Sequence, residues 1–363
     1  MMKVASTPQP RARVLSMPEY HPPLGNRDTL RLDFNENTVA CSPAVERAIR
    51  NMTAAELTRY PEREPVEALA AQQLDLAPEQ VILTNGVDEA IHVLCQAFLD
   101  TGDELLLPVP TYTMYAIYAS ATDATLCTVQ ADSTLAFPFE ALKAAITPRT
   151  KLIAIANPNS PTGSIATREQ LITLAEAAPH AILLVDEAYF HFYGETVIDL
   201  IGKLPNLIVA RTFSKAYGLA ALRLGLLAGP VHLLRWTRRV LSPYSVNSVA
   251  LTALTAALQD SAYIDWYVRQ IKQARTEFLA ALDTMGLQYW PTEANFVLVN
   301  IGTLHREFVS AMRDKAILVR DRSADPGCDG LVRITIGTPE QMHSAITTIQ
   351  TFVRTYKLAG VVR

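Results

Sequence analysis

The sequence predicts an α/β fold: a large domain with a mostly parallel sheet covered by helices on both faces, plus a smaller α+β domain. Three observations carry this. From Val81 onward, short apolar runs alternate with helix-like segments, the pattern of strands buried on both faces and joined by helical crossovers. After Gly229 the pattern turns helical, and strand alternation resumes at NFVLVN, Asn295 to Asn300. The length of 363 residues and the 49% hydrophobic content allow a large core and argue against disorder.

In chain order, the first residues are rich in proline and basic side chains and read as a flexible arm, assigned to 1–29. LRLDFNEN (Leu30 to Asn37) alternates like a short strand, and Ser42-Pro43 supplies an N-cap and first-turn proline for a helix to about Met52. The strand and helix units that follow are VILT with NGVDEAIHVLCQAFL, ELLLP, ATLCTVQ, KLIAIA with NPNSPTG and a helix over Arg168 to Ala178, AILLV with DEAYF, and LIVA with RTFSK. In such sheets ligands sit at the carboxyl ends of strands, so the polar residues just after these runs converge on one crevice. Helices follow over Val231 to Val240, Ser248 to Gln259 and about Ala262 to Met285, the last bridging two lobes. NFVLVN, a helix near Leu304 to Asp314, AILVR, LVRITIG and a helix from Pro339 to about Arg354 then make the smaller lobe. The expected division gives 30–50 and 262–363 to the small domain and 51–261 to the large one.

The net charge of -4 argues against a nucleic-acid partner. Arg235, Arg238 and Arg239 beside Trp236 have the spacing of a solvated helix face. The four cysteines are far apart, with no CxxC pair and no histidine at metal spacing, so neither a disulfide framework nor a zinc site is indicated. No run of about 18 apolar residues exists to span a bilayer, and the start lacks the apolar core of a signal peptide. The expected location is cytoplasmic.

The chemistry centres on RTFSKAYGLAALRLG, Arg211 to Gly225. A lysine delivered by a buried strand is poorly solvated, and a neighbouring guanidinium further disfavours its charged form, leaving Lys215 able to attack a carbonyl. Arg223 stays protonated and suits a permanently held phosphate. Together they suggest pyridoxal phosphate; a surface lysine and a salt-bridged arginine are the plainer alternative. In AILLVDEAYF, Asp186 follows a buried run, and a carboxylate there needs a cation or several donors to offset desolvation. A protonated pyridine nitrogen would serve and would keep the ring an electron sink; a structural ion pair with Arg211 or Arg223 is the alternative. Tyr189 is placed to donate to the ring's phenolic oxygen.

Other motifs carry weaker signals. NGVDEA opens a helix whose first N-H groups, at Gly86, Val87 and Asp88, would cradle a phosphate, although helix capping explains the acidic pair equally. Tyr112 in PTYTMY is either a stacking platform or packing. NPNSPTG is a rigid turn able to fix an asparagine amide, from Asn157 or Asn159, on a ligand oxygen, or else a surface turn. Arg333 in LVRITIG is a candidate for a substrate carboxylate, with a salt bridge as its alternative, and Arg320 in AILVRDR follows apolar residues in the same way.

Taken together, these motifs resemble the aspartate-aminotransferase superfamily of fold-type I pyridoxal-phosphate enzymes, and within it the histidinol-phosphate aminotransferase family. The resemblance runs from about Leu30 to the end in the same order and spacing, and implies a seven-stranded large sheet. It implies that Lys215 carries the Schiff base and moves the proton between substrate and cofactor, that Asp186 pairs with the pyridine nitrogen, that Tyr189 meets the phenolic oxygen and that Tyr112 stacks on the ring. Ser214, Arg223 and the Gly86 to Asp88 turn would hold the phosphate. Tyr60, in RYPE, would reach the neighbouring subunit's phosphate, which implies a homodimer. Arg333 would bind the α-carboxylate, Arg320 would lie near the substrate's distal end, and Asn37 would line the entrance. Tyr20 in the arm is a further substrate-binding candidate, beside Arg27.

Three departures stand out. Ser160 occupies the position where the family has an asparagine before Pro-Thr-Gly, Thr38 replaces the proline of NENP, and the arm PEYHPPLGNRD does not match the residues that grip histidinol phosphate. The expected reaction is transamination between histidinol phosphate or an aromatic amino acid and 2-oxoglutarate. The rivals are a threonine-phosphate decarboxylase and a non-catalytic cofactor-binding protein.

Overall fold

The computed structural model describes residues 8–17, 19 and 29–357; Tyr20 and Arg27 lie outside them. The first strand, β1 (Leu30–Leu32), is short, and its partners come from the end of the chain. Next in sequence are β2 (Val81–Asn85), β3 (Glu104–Val109), β4 (Thr125–Gln130), β5 (Thr150–Ala156), β6 (Ile182–Asp186), β7 (Leu207–Thr212) and β8 (Leu224–Ala228). These form one seven-stranded sheet in the order β2-β8-β7-β6-β5-β3-β4. Strands β3 to β7 pair in parallel, and β8 runs antiparallel to both of its neighbours.

The near-continuous apolar runs follow from burial on both faces. Along β7, Leu207 and Val209 face one core while Ile208 and Ala210 face the other, and β6 alternates likewise through Leu183, Leu184 and Val185. Each such buried leucine, isoleucine or valine contributes about 1.5–3 kcal/mol relative to exposure. The helix Gly86–Phe98 covers one face through Val87, Ile91 and Leu94; the helices Arg168–Ala177 and Ser248–Leu258 cover the other through Leu174 and Leu254. β8 was not among the apolar runs picked out as strands in the sequence. LGLLA is a strand of the same composition as its neighbours, and nothing in its residues announces the reversed direction.

The second sheet adds β9 (Tyr289–Trp290), β10 (Phe296–Asn300), β11 (Ile317–Asp321) and β12 (Leu331–Thr335), in the order β1-β11-β12-β10-β9. Against it lies the helix Ser261–Met285, which buries Ile264, Tyr267, Ile271, Ala274, Phe278, Leu282 and Met285, one side chain every three or four residues. Gly286, at φ 69°, ends this helix in the left-handed conformation that glycine adopts without strain.

Two features differ from the sequence reading. The expected boundary placed residues 30–50 with the smaller domain, but the helix Pro43–Arg50 buries Val45 in the core of the larger sheet. The amphipathic pattern marked a buried face and could not say whose. In the expected arm, Ala12–Leu15 forms a helical turn that is held in place: Arg11 donates to the Ala121 carbonyl at 2.9 Å and pairs with Asp123.

Candidate active site

The carboxyl ends of the central parallel strands come together as the sheet requires. β6 ends on Asp186, whose carbonyl accepts the Asn157 N-H at 2.8 Å just beyond β5, and the Glu187 N-H donates to Ala210 of β7 at 2.9 Å. Asp186 is buried. Its Oδ2 accepts the Tyr115 hydroxyl at 2.6 Å and its Oδ1 the Ala188 N-H at 3.1 Å. Both arginines that might have neutralised it are engaged elsewhere, Arg211 with Glu187 at 2.8 Å and Arg223 with Asp88 at 2.9 Å. Burial pushes the Asp186 pKa up to about 6, against the opposing pull of the Tyr115 and Ala188 hydrogen bonds. Among the described residues this carboxyl has donors but no cation, which fits a site built for a cationic ring nitrogen.

Lys215 lies in the long loop between β7 and β8. Its Nζ donates to the Phe34 carbonyl at 3.0 Å, and its own carbonyl accepts the Gly218 N-H. Ser214, beside it, is fixed by its N-H to Thr212 Oγ1 at 3.1 Å and lines a cavity of about 430 Å³ together with Asn37, Thr38 and Gly218. Asn37 donates to the Ala216 carbonyl at 3.2 Å, so it does border the lysine loop.

At the loop's end, Arg223 sits at φ 54° and points across to the start of the helix Gly86–Phe98. A Cβ on Gly86 would meet Arg223 Nη2 at 2.7 Å, and one on Gly225 would meet the Gly86 carbonyl carbon at 2.7 Å. Only glycines allow this approach. The N-H groups of the helix's first turn lack intrahelical acceptors, and the Arg223 guanidinium beside them makes this helix start a candidate anion site. Asp88 bridges it to the aromatic wall by accepting from Tyr112 Oη at 2.7 Å as well as from Arg223. Tyr112 meets the edge of Tyr115 at 5.8 Å between ring centroids.

The NPNSPTG turn is buried, not a surface turn. Asn159 donates both amide hydrogens, to the Pro110 carbonyl at 2.9 Å and to Thr162 Oγ1 at 2.8 Å. It has none left for a ligand oxygen. Asn157 brackets Ala166 through one N-H and its oxygen, and keeps its other N-H. Ser160 accepts from Arg333 Nη1 at 2.8 Å.

Arg333 is buried and pairs with no carboxylate among the described residues; its other bond is from Nη2 to the Asp33 carbonyl at 2.7 Å, and its Nε has no partner. Burial lowers its pKa to about 10, still protonated at neutral pH, and the neighbouring Arg322 and Arg320 act in the same direction. Arg320 is its cross-strand partner and lies over the Phe34 ring at 5.4 Å, with Nη1 buried and without a partner. Arg322 pairs with Asp325. Several guanidiniums around one carboxylate leave room for an anionic ligand.

Tyr189 is buried and its hydroxyl accepts from Asn35 Nδ2 at 2.8 Å. Tyr60 does not join this group: it is 77% exposed and stacks on Tyr244 at 4.4 Å, which leaves its ring available to another surface. Sequence reasoning passed over Tyr115, Asn35 and the carbonyls of Asp33 and Phe34. Tyr115 had a signal, since it sits one helical turn beyond Tyr112; the backbone carbonyls had none.

A buried carboxyl with no cation among the described residues, a lysine in the loop after a central strand, an arginine beside a helix start and a buried arginine with no carboxylate partner among those residues fit the site of a pyridoxal-phosphate enzyme of the aminotransferase class. The comparisons agree. The family model described as aminotransferase class I and II matches residues 27–349. A histidinol-phosphate aminotransferase of Geobacillus sp. (strain WCH70) is 34% identical over 358 residues, covering 94% of this chain and 95% of that protein. Among solved structures, the Sinorhizobium meliloti histidinol-phosphate aminotransferase in complex with pyridoxal-5'-phosphate superposes with a TM-score of 0.87 at 24% identity, covering 97% of this chain and 99% of that one. An L-threonine-O-3-phosphate decarboxylase from Porphyromonas gingivalis shares the fold at a TM-score of 0.80 and 23% identity, covering 90% and 99%. The chain belongs to the class I and II aminotransferase family and is a pyridoxal-phosphate-dependent aminotransferase.

Proposed function

We propose that this enzyme exchanges an amino group between histidinol phosphate, or an aromatic amino acid, and a 2-oxo acid such as 2-oxoglutarate, working as a cytoplasmic homodimer. The observation that carries the residue assignment is the buried Asp186 carboxyl, which among the described residues has two donors and no cation, beside the strand that delivers Lys215. The bound cofactor supplies an electron sink for the charge left when the substrate loses its α-proton. Asp186 holds the proton on the ring nitrogen. Tyr115 and the Ala188 N-H orient that carboxylate. Lys215 Nζ would be the amine that holds the cofactor and the base that takes and returns the substrate's α-proton.

Ser214, Arg223 and the first turn Gly86, Val87 and Asp88 hold the phosphate, with Asp88 steering Arg223. Tyr112 would cover one face of the ring and Tyr189 would hold its phenolic oxygen. Asn157 keeps an N-H for the same edge, which favours it over Asn159. Arg333 and Arg320 hold the substrate's anionic group. Histidinol phosphate has no α-carboxylate but carries a phosphate monoester, and an amino acid carries the reverse; guanidinium forks bind both kinds of planar or tetrahedral anion. Tyr60 completes the partner subunit's phosphate site. Asn37 lines the substrate entrance, and Tyr20, outside the described residues, is a further substrate-binding candidate.

The test is a panel of amino donors mixed with the holoenzyme: histidinol phosphate, phenylalanine, tyrosine, threonine phosphate and glutamate, scoring loss of the yellow cofactor colour. Histidinol phosphate or an aromatic donor discharges the colour, and 2-oxoglutarate restores it. Carbon dioxide release from threonine phosphate without a 2-oxo acid overturns the transamination reading. Lys215→Ala abolishes both the colour and the turnover; full transamination by that variant overturns the lysine's role.

A further inference from the structure

Residues 33–35, directly after β1, touch four groups of the site in succession. The Asp33 carbonyl accepts from Arg333, the Phe34 carbonyl accepts from Lys215, the Phe34 ring lies under Arg320, and the Asn35 amide donates to Tyr189. We propose that Asn35 is a positioning residue that sets the direction of the Tyr189 hydroxyl proton. This inference rests on the reading that Tyr189 faces the cofactor's phenolic oxygen.

The hydrogen bonds fix which end of the Asn35 amide meets Tyr189. The Asn35 backbone N-H donates to Thr335 Oγ1 at 3.0 Å, and that hydroxyl donates to Asn35 Oδ1 at 3.1 Å. Nδ2 is therefore the end aimed at Tyr189, 2.8 Å from its oxygen. A tyrosine hydroxyl has one proton to give and lone pairs to accept with. With one lone pair taken by an amide N-H, its own proton points away from Asn35, and in the holoenzyme the phenolic oxygen of the cofactor is the acceptor waiting for it.

Residue type is specified twice. Asn35 is 1% exposed and adopts φ 53°, a left-handed conformation that asparagine, aspartate and glycine tolerate better than other residues. Aspartate keeps the backbone and replaces the donor by an acceptor. Glycine keeps the backbone and removes the side chain. The Asn35 carbonyl also accepts from Asn295 Nδ2 at 3.2 Å, so the residue is anchored to the smaller sheet from two sides while its amide reaches Tyr189.

The experiment uses the holoenzyme and reads the pH midpoint at which the visible band of the bound cofactor changes, a spectroscopic signal independent of turnover. A Tyr189 proton given to the phenolic oxygen would lower that oxygen's charge, so the oxygen would stabilise the protonated form of the adjacent nitrogen contributed by Lys215 less, and loss of the donation would raise the midpoint. Asn35→Asp turns the Tyr189 proton back toward the carboxylate and moves the midpoint up by about one pH unit, the size of one hydrogen bond's bias between two protonation states. Asn35→Gly moves it less, and Tyr189→Phe moves it at least as far as Asn35→Asp. Adding Asn35→Gly to Tyr189→Phe moves it no further. A shift with Tyr189→Phe and none with either Asn35 variant overturns the positioning role alone, as does additivity in the double variant. No shift with Tyr189→Phe overturns the reading of Tyr189 itself, and this inference with it.

Discussion

Two carboxylates adjacent in sequence, Asp186 and Glu187, leave β6 in opposite circumstances. Glu187 is fully served: Arg211 donates to it twice, at 2.8 and 3.0 Å, Thr196 donates to both oxygens and the Val197 N-H to one. Arg211 in turn lies over the Phe190 ring at 3.6 Å. Asp186, equally buried, has a phenol, an N-H and no cation among the described residues. The first arrangement is what a structural carboxylate needs, since a buried charge persists when paired and hydrogen-bonded. The second is complete only when something positive arrives.

Removing charge from each tests that contrast, and the largest effect belongs to the paired residue's stability and the unpaired residue's activity. Glu187→Gln strands Arg211 in the interior and costs about 3–5 kcal/mol of folding stability, the usual cost of breaking a buried pair from one side. Asp186→Asn leaves no cation stranded. It unfolds no earlier in denaturant than the parent near pH 8, yet its half-reaction with the preferred donor slows by about a hundredfold or more. Equal losses of stability in the two variants would show that Asp186 has a structural partner after all.

A smaller effect follows in pH. The folded-state pKa of Asp186 is raised from 3.8 to about 6 by burial, so between those values the cofactor-free native state binds a proton that the unfolded chain has released. The sign is fixed: this contribution is intact below pH 3.8 and is lost as pH rises through about 6, a difference on the order of 3 kcal/mol. Denaturation of the cofactor-free protein from pH 4 to 8 should show that decline, and Asp186→Asn should remove it. A slope unchanged in the variant would assign the titration to another group.

The same contrast marks what was legible in the sequence. Parallel strands announced themselves through unbroken apolar runs, and each polar residue placed just past such a run has a defined position at the strand ends. Lys215 and Asp186 stood out because a charged residue there is costly without a reason. The ion pair proposed for Asp186 with Arg211 or Arg223 was a fair alternative, and only coordinates show that both arginines have other acids. Backbone groups were invisible: the carbonyls of Asp33 and Phe34 meet Arg333 and Lys215 from a segment far away in sequence, and no residue type encodes that. The direction of β8 and the core that receives Val45 were hidden for a related reason, since apolarity specifies burial and not the partner.

Arg333 is the cationic counterpart of Asp186, buried without a carboxylate in ion-pair contact among the described residues, and Ser160 is the side chain that steadies it. The Ser160 hydroxyl accepts from Nη1 at 2.8 Å, while Nε is already without a partner. Ser160→Ala removes the acceptor and leaves the Asp33 carbonyl as the guanidinium's one hydrogen-bond acceptor among the described residues, so it can turn away from an incoming anion. One hydrogen bond to a charged group is worth about 1.5–3 kcal/mol. Part of that reappears when substrate binds, so the expected result is a rise in KM for the anionic donor of about tenfold with kcat changed much less, the pattern of lost uniform binding. Steady-state kinetics with the donor chosen by the panel measure the split. A fall in kcat at constant KM would instead place Ser160 against the reacting atoms, and the unpaired arginine would then need another account of what keeps its fork in place.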